Sequence, residues 1–502
     1  GFDRLVFRGT LRQAAHVGGL SSVLSLEGVL LKDFGDWAQD LTETVKRALH
    51  RSAESQGRPD LYLPSGATRK EEVARRILAE DPVEEGLICM LRAVEPCPSF
   101  EIRRDRARKL LVLEPRIRKC LFYYQYFLDP RFGFCHARVQ SWLPFGIQVC
   151  LNGREWLARQ MEERRLDFVR EGNCFPHLAD PAAAQRLMDE QRRTRWPEEL
   201  ERLVRPLAPD QEALFRRFRA PYYWSTHQME WATDVTFDQA ATLADVYPLL
   251  LHHALIHLHS HDVLRYLGSR LPARFDGEVV SDYKKRAEGV RVKHRVNHNS
   301  IKIYDKASNV LRVETTIHKA RDLKTWRPKE GDPEGPCAWR PLRKGVADLH
   351  RLTQLCQTSN DRYLDALAAV DPNDTTPLRE VLADVTRRRC WNGRSVRALR
   401  PCSGADGPLL EAVCHGEHLI TGFRNRDLCR HLFGKPTGSR RQRKRIAARV
   451  TRLIRILRAH GLVSRIPKTH RYRATAKGLR VLTACVALRN APLALLTTRV
   501  AA

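Results

Sequence analysis

The sequence predicts an α+β, multidomain protein: a central antiparallel β-sheet domain with helical insertions, followed by a small C-terminal module of helices closed by a β-hairpin. Three observations predict it. Runs rich in β-branched and aromatic residues, with period-two alternation, lie at Cys120 to Leu151 and again at Val279 to Ile317. Long segments of helical pattern separate and follow them. Between Thr421 and Arg480 an amphipathic helix, a hairpin and a closing helix follow one another, while nineteen Lys and Arg stand against one acid, Asp427.

Composition sets the class of partner. The 502 residues are 43% hydrophobic, enough for two to four domains with their own cores. There are 87 Lys and Arg against 58 Asp and Glu, a formal charge of +29. That balance calls for a polyanion, with DNA the first expectation and RNA the alternative, because backbone charge does not separate them. No apolar run reaches the roughly 20 residues a bilayer needs. The greasiest stretch, Val246 to Leu267, is interrupted by five histidines and Asp262. No membrane partner is therefore expected, and a bacterial cytoplasmic, nucleoid-associated location is. Thirteen cysteines occur singly without a C-x-x-C pair, which points to reduced thiols and away from a zinc ribbon. No phosphate-binding glycine fingerprint and no G-x-S-x-G elbow occur, so no nucleotide cofactor is expected. The chain opens at Gly1 without a methionine and already inside a strand-like run, so a preceding segment is expected.

Taken in order, residues 1–118 read as an N-terminal α/β scaffold without an evident site. "FDRLVFRGTL" is a strand, Thr68 and Glu71 form a capping-box pattern opening a helix through Ala79, and Leu87 to Val94 is a buried strand. Residues 119–327 form the central domain. "CLFYYQYFL", "FCHARVQSW" and "FGIQVCL" make a β-meander, followed by a helix from Asn152 to Leu166. Tyr123, Tyr124, Tyr126, Trp142 and Phe145 serve either as core or as stacking platforms for bases. Pro181 to Leu267 has a helical pattern in which Tyr222, Tyr223, Trp224 and Trp231 pin helices together. His253, His257 and His261 are spaced by four, as metal ligands on a helix face would be. As a strand, His257-Leu258-His259 instead matches the histidine pair of HUH endonucleases. Packing or surface histidines are the plain alternative.

"GVRVKHRV", "SIKIYDK" and "VLRVETTI" are three further strands, the last two joined by a loop at Ala307 to Asn309. Alternation places Ile301 and Ile303 with Leu311, Val313 and Ile317. The other face then carries Lys302, Tyr304 and Lys306 beside Arg312, Glu314 and Thr316. A tyrosine, a carboxylate and several cations on one surface suit attack on a phosphodiester; a cross-strand charge ladder is the bland reading. A restriction-type D-x-K arrangement of Asp276, Glu278 and Asp282 to Lys284 is a third reading. Residues 328–405 are a turn-rich linker, Pro328 to Pro341, and helices at Leu342 to Leu355, Asn360 to Val370 and Pro377 to Arg388.

In residues 406–502, Ile446, Val450, Leu453, Ile454 and Leu457 form the apolar stripe of a helix from Arg440 to His460. Arg441, Arg445, Arg449 and Arg452 gather on another face. Gly461 stops this helix, a helix from Arg424 to Leu432 precedes it, and Leu462 to Pro467 with Arg471 to Ala474 make two short strands around Lys468 and His470. Thr475 caps a closing helix through Leu488.

The run "RLIRILRAHGLVSRIPKTHRYRATAKG" resembles the winged helix-turn-helix of MarR-type regulators. That resemblance implies a basic helix in the major groove (Arg441, Arg445, Arg449, Arg452) and a wing on the backbone (Lys468, His470, Arg471). The segment "NSIKIYDKASNVLRVETTIHKARDL" resembles the active-site hairpin of rolling-circle replication initiators of the staphylococcal-plasmid type. It implies Tyr304 as a DNA-cleaving nucleophile, Glu314 as a metal ligand or activator of water, and Lys306 and Arg312 on phosphate, with Lys302 another nucleic-acid contact. Mg²⁺ or Mn²⁺ is the cofactor this entails, with Glu314, His257 and His259 as candidate ligands. The function expected is that of a site-specific DNA-binding protein of a mobile element or replicon, cleaving or transferring a strand as transposases and initiators do. The alternative is a non-enzymatic MarR-like regulator, or an accessory protein that binds RNA or DNA. A homodimer is a further expectation.

Overall fold

The computed structural model describes residues 1–490 apart from 65–67, 208–210, 257–278, 287–288, 330, 333, 369–377, 402–403, 405, 415–417, 419–422, 435–438 and 467–469. It is mixed α+β, with a large, mostly antiparallel sheet, helical insertions and a C-terminal helix cluster. The strands are, in chain order, β1 (Phe2–Thr10), β2 (Asp60–Tyr62), β3 (Gly86–Asp105), β4 (Leu110–Asp129), β5 (Gly133–Gln140), β6 (Ile147–Asn152), the small hairpin β7 (Phe168–Glu171) and β8 (Cys174–Leu178), β9 (Tyr223–Thr236), β10 (Val279–Arg286), β11 (Gly289–Val296), β12 (Asn299–Lys306) and β13 (Val310–Ile317). The chain divides into two compact units, Gly1–Thr236 with Glu314–Gln357, and Phe237–Val313 with Thr358–Ala502. The division passes through β13.

In the first unit the strand order is β13-β9-β1-β6-β5-β4-β3-β2. The predicted meander is β4, β5 and β6, and Asn152 caps the helix Gly153–Glu163 by accepting from the amides of Arg154 and Glu155. β1 lies between β9 and β6 with Phe2, Leu5 and Phe7 buried. Phe2 packs against Trp231 and Trp196 at ring-centre distances of 4.9 and 5.9 Å, and Phe7 against Trp196 at 4.9 Å. Phe2 and Phe7 are five residues apart and would face opposite ways in a regular strand. A β-bulge restores them to one face: Phe2 pairs with Trp231 and Arg4 with Glu230, which leaves Asp3 as the extra residue.

Several expectations are corrected here. Tyr223–Thr236 is a strand rather than part of a helical run, and Trp224 and Trp231 face the core from a sheet. A second register shift, between the pairs Val6–Gln228 and Phe7–Thr226, breaks the period-two signal that would have marked it. The helix Lys70–Glu80 starts behind Arg69 with no side-chain cap, so the Thr68–Glu71 capping box does not form. The end of the expected linker is the strand β15 (Ala338–Pro341), paired with β14 (Lys324–Arg327) through Trp326 and Trp339. One helix, Leu349–Leu367, replaces the two expected at Leu342 to Leu355 and Asn360 to Val370.

In the second unit the order is β10-β11-β12-β13, with Val292, Ile301, Ile303 and Val313 fully buried. Buried His294 bonds Tyr363 Oη at 3.0 Å, and burial pushes its pKa down to about 4. A small hairpin, β16 (Arg389–Trp391) with β17 (Arg394–Val396), precedes a separate core of Leu409, Leu410, Phe423, Leu428, Ile454 and Leu482. That core joins the helices Asp406–Cys414, Asn425–Phe433, Arg440–Ala459 and Ala476–Asn490 with the hairpin β18 (Val463–Arg465) and β19 (Tyr472–Ala474).

Candidate nucleic-acid interface and acidic cluster

The helix Arg440–Ala459 forms where the apolar stripe and its signals at both ends require it. Ser439 and Gln442 make a reciprocal capping box: Ser439 Oγ accepts from the Gln442 amide at 3.3 Å and Gln442 Oε1 from the Ser439 amide at 2.9 Å. At the other end Gly461, at φ +72°, donates to Arg458 O, and the Leu462 amide donates to Leu457 O. That pair of bonds is the Schellman stop that a left-handed glycine allows. Val450, Ile454 and Leu457 are buried, whereas Arg441, Arg445, Arg449 and Arg452 are all exposed. Asn425 Nδ2 donates to Ala447 O at 2.9 Å and Thr451 Oγ1 at 2.8 Å, which fixes the preceding helix against this one.

The wing is anchored at its root. Phe423 and Tyr472 exchange backbone bonds of 2.7 and 2.8 Å, so a third short strand segment joins β19. Thr475 Oγ1 accepts from the Gly478 amide, the cap expected for the closing helix. His470 is exposed and Arg471 half-buried; Lys468 lies outside the described residues. This is a winged helix-turn-helix in its generic form, with a cationic exposed helix. Comparison with protein-family models, curated proteins and solved structures finds no match for the chain.

On β12 the ammonium groups of Lys302 and Lys306 lie 5.4 and 5.9 Å from the centre of the Tyr304 ring. Across the β11–β12 ladder, Arg291 pairs with Tyr304 and Lys293 with Lys302. Half-buried Tyr304 therefore sits in a cationic strip, as the alternation expected. The loop residues Ala307 and Ser308 take φ of 51° and 65°, the left-handed conformations of a tight hairpin. β13 differs from expectation. Arg312 and Glu314 have no exposed surface, and every residue of that strand is buried on both faces, so it carries no solvated charge ladder. His257 and His259 lie outside the described residues, as do Asp276 and Glu278.

Glu314 instead belongs to a cluster within the first unit. Carboxylate oxygens of Asp3, Glu230 and Glu314 all lie within 4.8 Å of one another. The bulge on β1 supplies Asp3, the facing position on β9 supplies Glu230, and β13 supplies Glu314. Each has a neutral donor: Asn173 Nδ2 to Asp3 at 2.7 Å, Gln228 Nε2 to Glu230 at 2.8 Å and Thr316 Oγ1 to Glu314 at 3.4 Å. Asp3 and Glu314 are buried and Glu230 is half-buried. Three carboxylates this close repel one another out of water, and a hard divalent cation with oxygen ligands relieves that repulsion. The donor set fits Mg²⁺ or Mn²⁺.

Beyond Arg4 on β1 comes Arg8, whose ladder neighbours are Ser225 and Gln148; Arg138 lies beside Gln148 on the next strand. The guanidinium of half-buried Arg8 makes no hydrogen bond or ion pair with a described residue. Burial, then the charge of Arg138, lowers its pKa. Partial burial and the charges of Arg8, Lys344, His318 and Arg138 likewise lower that of His227. Asp3 and Glu230 are absent from the sequence-based expectations. Their signal is present all the same: each is a carboxylate inside a run of large apolar residues, "FDRLVF" and "QMEWA".

Proposed function

We propose that the chain is a DNA-binding protein whose C-terminal winged helix sets the helix Arg440–Ala459 in the major groove and its wing against the backbone, in the manner of MarR-type regulators. The exposed series Arg441, Arg445, Arg449 and Arg452, on a helix whose other side is locked into a core, carries the reading. Homodimeric binding to a two-fold site belongs to the same proposal. Replacing Arg445 and Arg449 by Ala together should weaken duplex binding and flatten the salt dependence of log K by nearly two, at about 0.9 per lost phosphate contact. Titration of a labelled duplex at several salt concentrations measures it, and unchanged affinity and slope would remove the assignment.

The acidic cluster favours a second reading, metal-assisted strand cleavage by a mobile-element or replicon protein. A divalent ion bound by Asp3, Glu230 and Glu314 would supply charge stabilisation for a phosphoryl group. Separately, and by resemblance to the replication initiators alone, Tyr304 of the second unit is proposed as a nucleophile: its phenol loses its proton and its oxygen bonds to phosphorus as the P–O3′ bond breaks. The products are a phosphotyrosyl link and a free 3′-hydroxyl. Incubation with supercoiled DNA and Mn²⁺ should give nicked circles and a covalent adduct. Tyr304→Phe should abolish the adduct, and Glu230→Gln should abolish nicking and weaken Mn²⁺ binding measured by calorimetry. Binding without nicking in the wild-type protein would leave the regulator reading standing alone.

A further inference from the structure

β3 and β4 are each 20 residues long, far beyond what their neighbours pair with. β2 pairs only with Met90 to Arg92, and β5 only with Phe122 to Asp129. From Glu95–Cys120 to Asp105–Leu110 the two strands therefore pair with each other alone, as a ribbon of eleven residue pairs. At about 3.4 Å per residue it extends roughly 35 Å past the sheet. Its base is fixed by buried Cys97, Ser99 and Cys120 and its middle by buried Phe100 and Leu113. At the turn Asp105 Oδ1 accepts from the amides of Ala107 and Arg108 at 3.0 and 3.1 Å, and Lys109 at φ 55° completes the reversal.

The tip is built unlike an ordinary soluble hairpin. Residues 99–119 hold eight Lys and Arg against three acids. The acids are already engaged: Glu114 with Arg103 at 3.4 Å, Asp105 with Arg108 at 3.9 Å, and Glu101 with Arg116. The side chains of Arg104, Arg106 and Lys109 are exposed and make no hydrogen bond or ion pair with a described residue. Among them stand two leucines, Leu110 at 57% and Leu111 at 40% exposure. A stable ribbon that ends in unpaired cations around an exposed apolar pair needs a partner that is anionic at its rim and apolar within. A second copy of the tip would bring like charges together, whereas a duplex groove has phosphates along both edges and base edges and thymine methyls on its floor. The major groove is also wide enough for a two-stranded ribbon.

We propose that the β3–β4 ribbon is a second DNA-binding element, inserted in a major groove with Arg104, Arg106 and Lys109 on phosphates and Leu110 and Leu111 on the floor. It does not depend on the winged-helix assignment. The test uses the full chain and a fluorescent mixed-sequence DNA duplex. Arg104→Ser, Arg106→Ser and Lys109→Ser combined should lower affinity at least tenfold at moderate salt and flatten the log K against log salt slope by between two and three. Leu110→Ser with Leu111→Ser should weaken binding and leave that slope unchanged. Unaltered melting temperatures would show that the exposed tip, not the fold, is being read. Wild-type affinity and slope in the triple variant would overturn the proposal. So would tip-dependent binding to phosphatidylserine vesicles without any effect on DNA, or a tip-dependent change of oligomeric state with DNA affinity intact. If the Arg445 and Arg449 variant binds normally while the tip variants do not, the ribbon stands and the winged-helix reading falls; the reverse result separates them the other way.

Discussion

Asp406 shows how one buried carboxylate organises the C-terminal module. It is 3% exposed, begins a helix, accepts two bonds of 2.6 Å from the Arg397 guanidinium and a third, of 2.9 Å, from the Arg400 amide. Burial alone would raise its pKa, but the hydrogen bonds from Arg397 and Arg400 and their charges outweigh it and hold the group below the usual carboxylate value. A depressed folded-state pKa stabilises the fold above the unfolded value of about 4, and that contribution is lost as pH falls through the folded value. Asp406→Asn should cost about 1–3 kcal/mol at pH 7, the range for hydrogen bonds to a charged group. Urea melts at pH 7 and in acid should show the gap between variant and wild type shrinking as the pH falls below about 4. A gap independent of pH would mean that the ion pair is not the stabilising feature. The same scale explains why the acid cluster is hard to read in the chain: Asp3 lies 227 residues before Glu230 and Glu314 another 84 after it, and they meet only across the sheet.

At the scale of elements, the basic helix is the most legible part of the molecule. Its apolar period, its stop at Gly461 and the hairpin beyond it are local features, and the helix spans Arg440–Ala459 as the pattern requires. Its packing against the closing helix is decided by one small residue. A Cβ added to Gly478 would sit 1.9 Å from Leu462 O and 2.7 Å from Leu462 C, both main-chain atoms that cannot rotate away. Gly478→Ala should therefore force the helix Ala476–Asn490 from β18 and cost about 3 kcal/mol, at the upper end for overpacking. A lowered melting temperature together with weaker duplex binding is the expected result; an unchanged melting curve would show that the contact is relaxed in solution. β9 is the opposite case. The one register shift within β9, at His227, puts Trp224 and Trp231, seven residues apart, on one face; that spacing breaks the period of two and equals about two helical turns, which is why the segment reads as helical in the chain.

At the scale of the whole molecule, charge is concentrated rather than spread. The residues from Thr421 to Arg480 carry +18 of the formal +29, and the ribbon residues 99–119 carry a further +5. Both stretches are exposed where the charge lies, on a helix in one unit and on a two-stranded arm in the other. Field of this sign raises association rates with polyanions and makes every affinity depend on salt. Among the described residues no helix is long and apolar enough to cross a membrane. The composition therefore favours an anionic partner, and the placement of that charge underlies the two contact surfaces proposed above.

The sequence by itself determined the α+β class, the meander at Cys120 to Leu151, the three strands at 289–317 and the winged-helix order, because each is written in neighbouring residues through period, capping and turn chemistry. It also singled out Glu314 and the arginines of the basic helix. Only the tertiary structure decided that Glu314 joins Asp3 and Glu230, that Arg312 is buried, and that β3 and β4 outrun their partners to form an arm. Those facts depend on which strands lie side by side and where their registers slip, and that is settled by contacts between separate segments of the chain, for which no local pattern is a record.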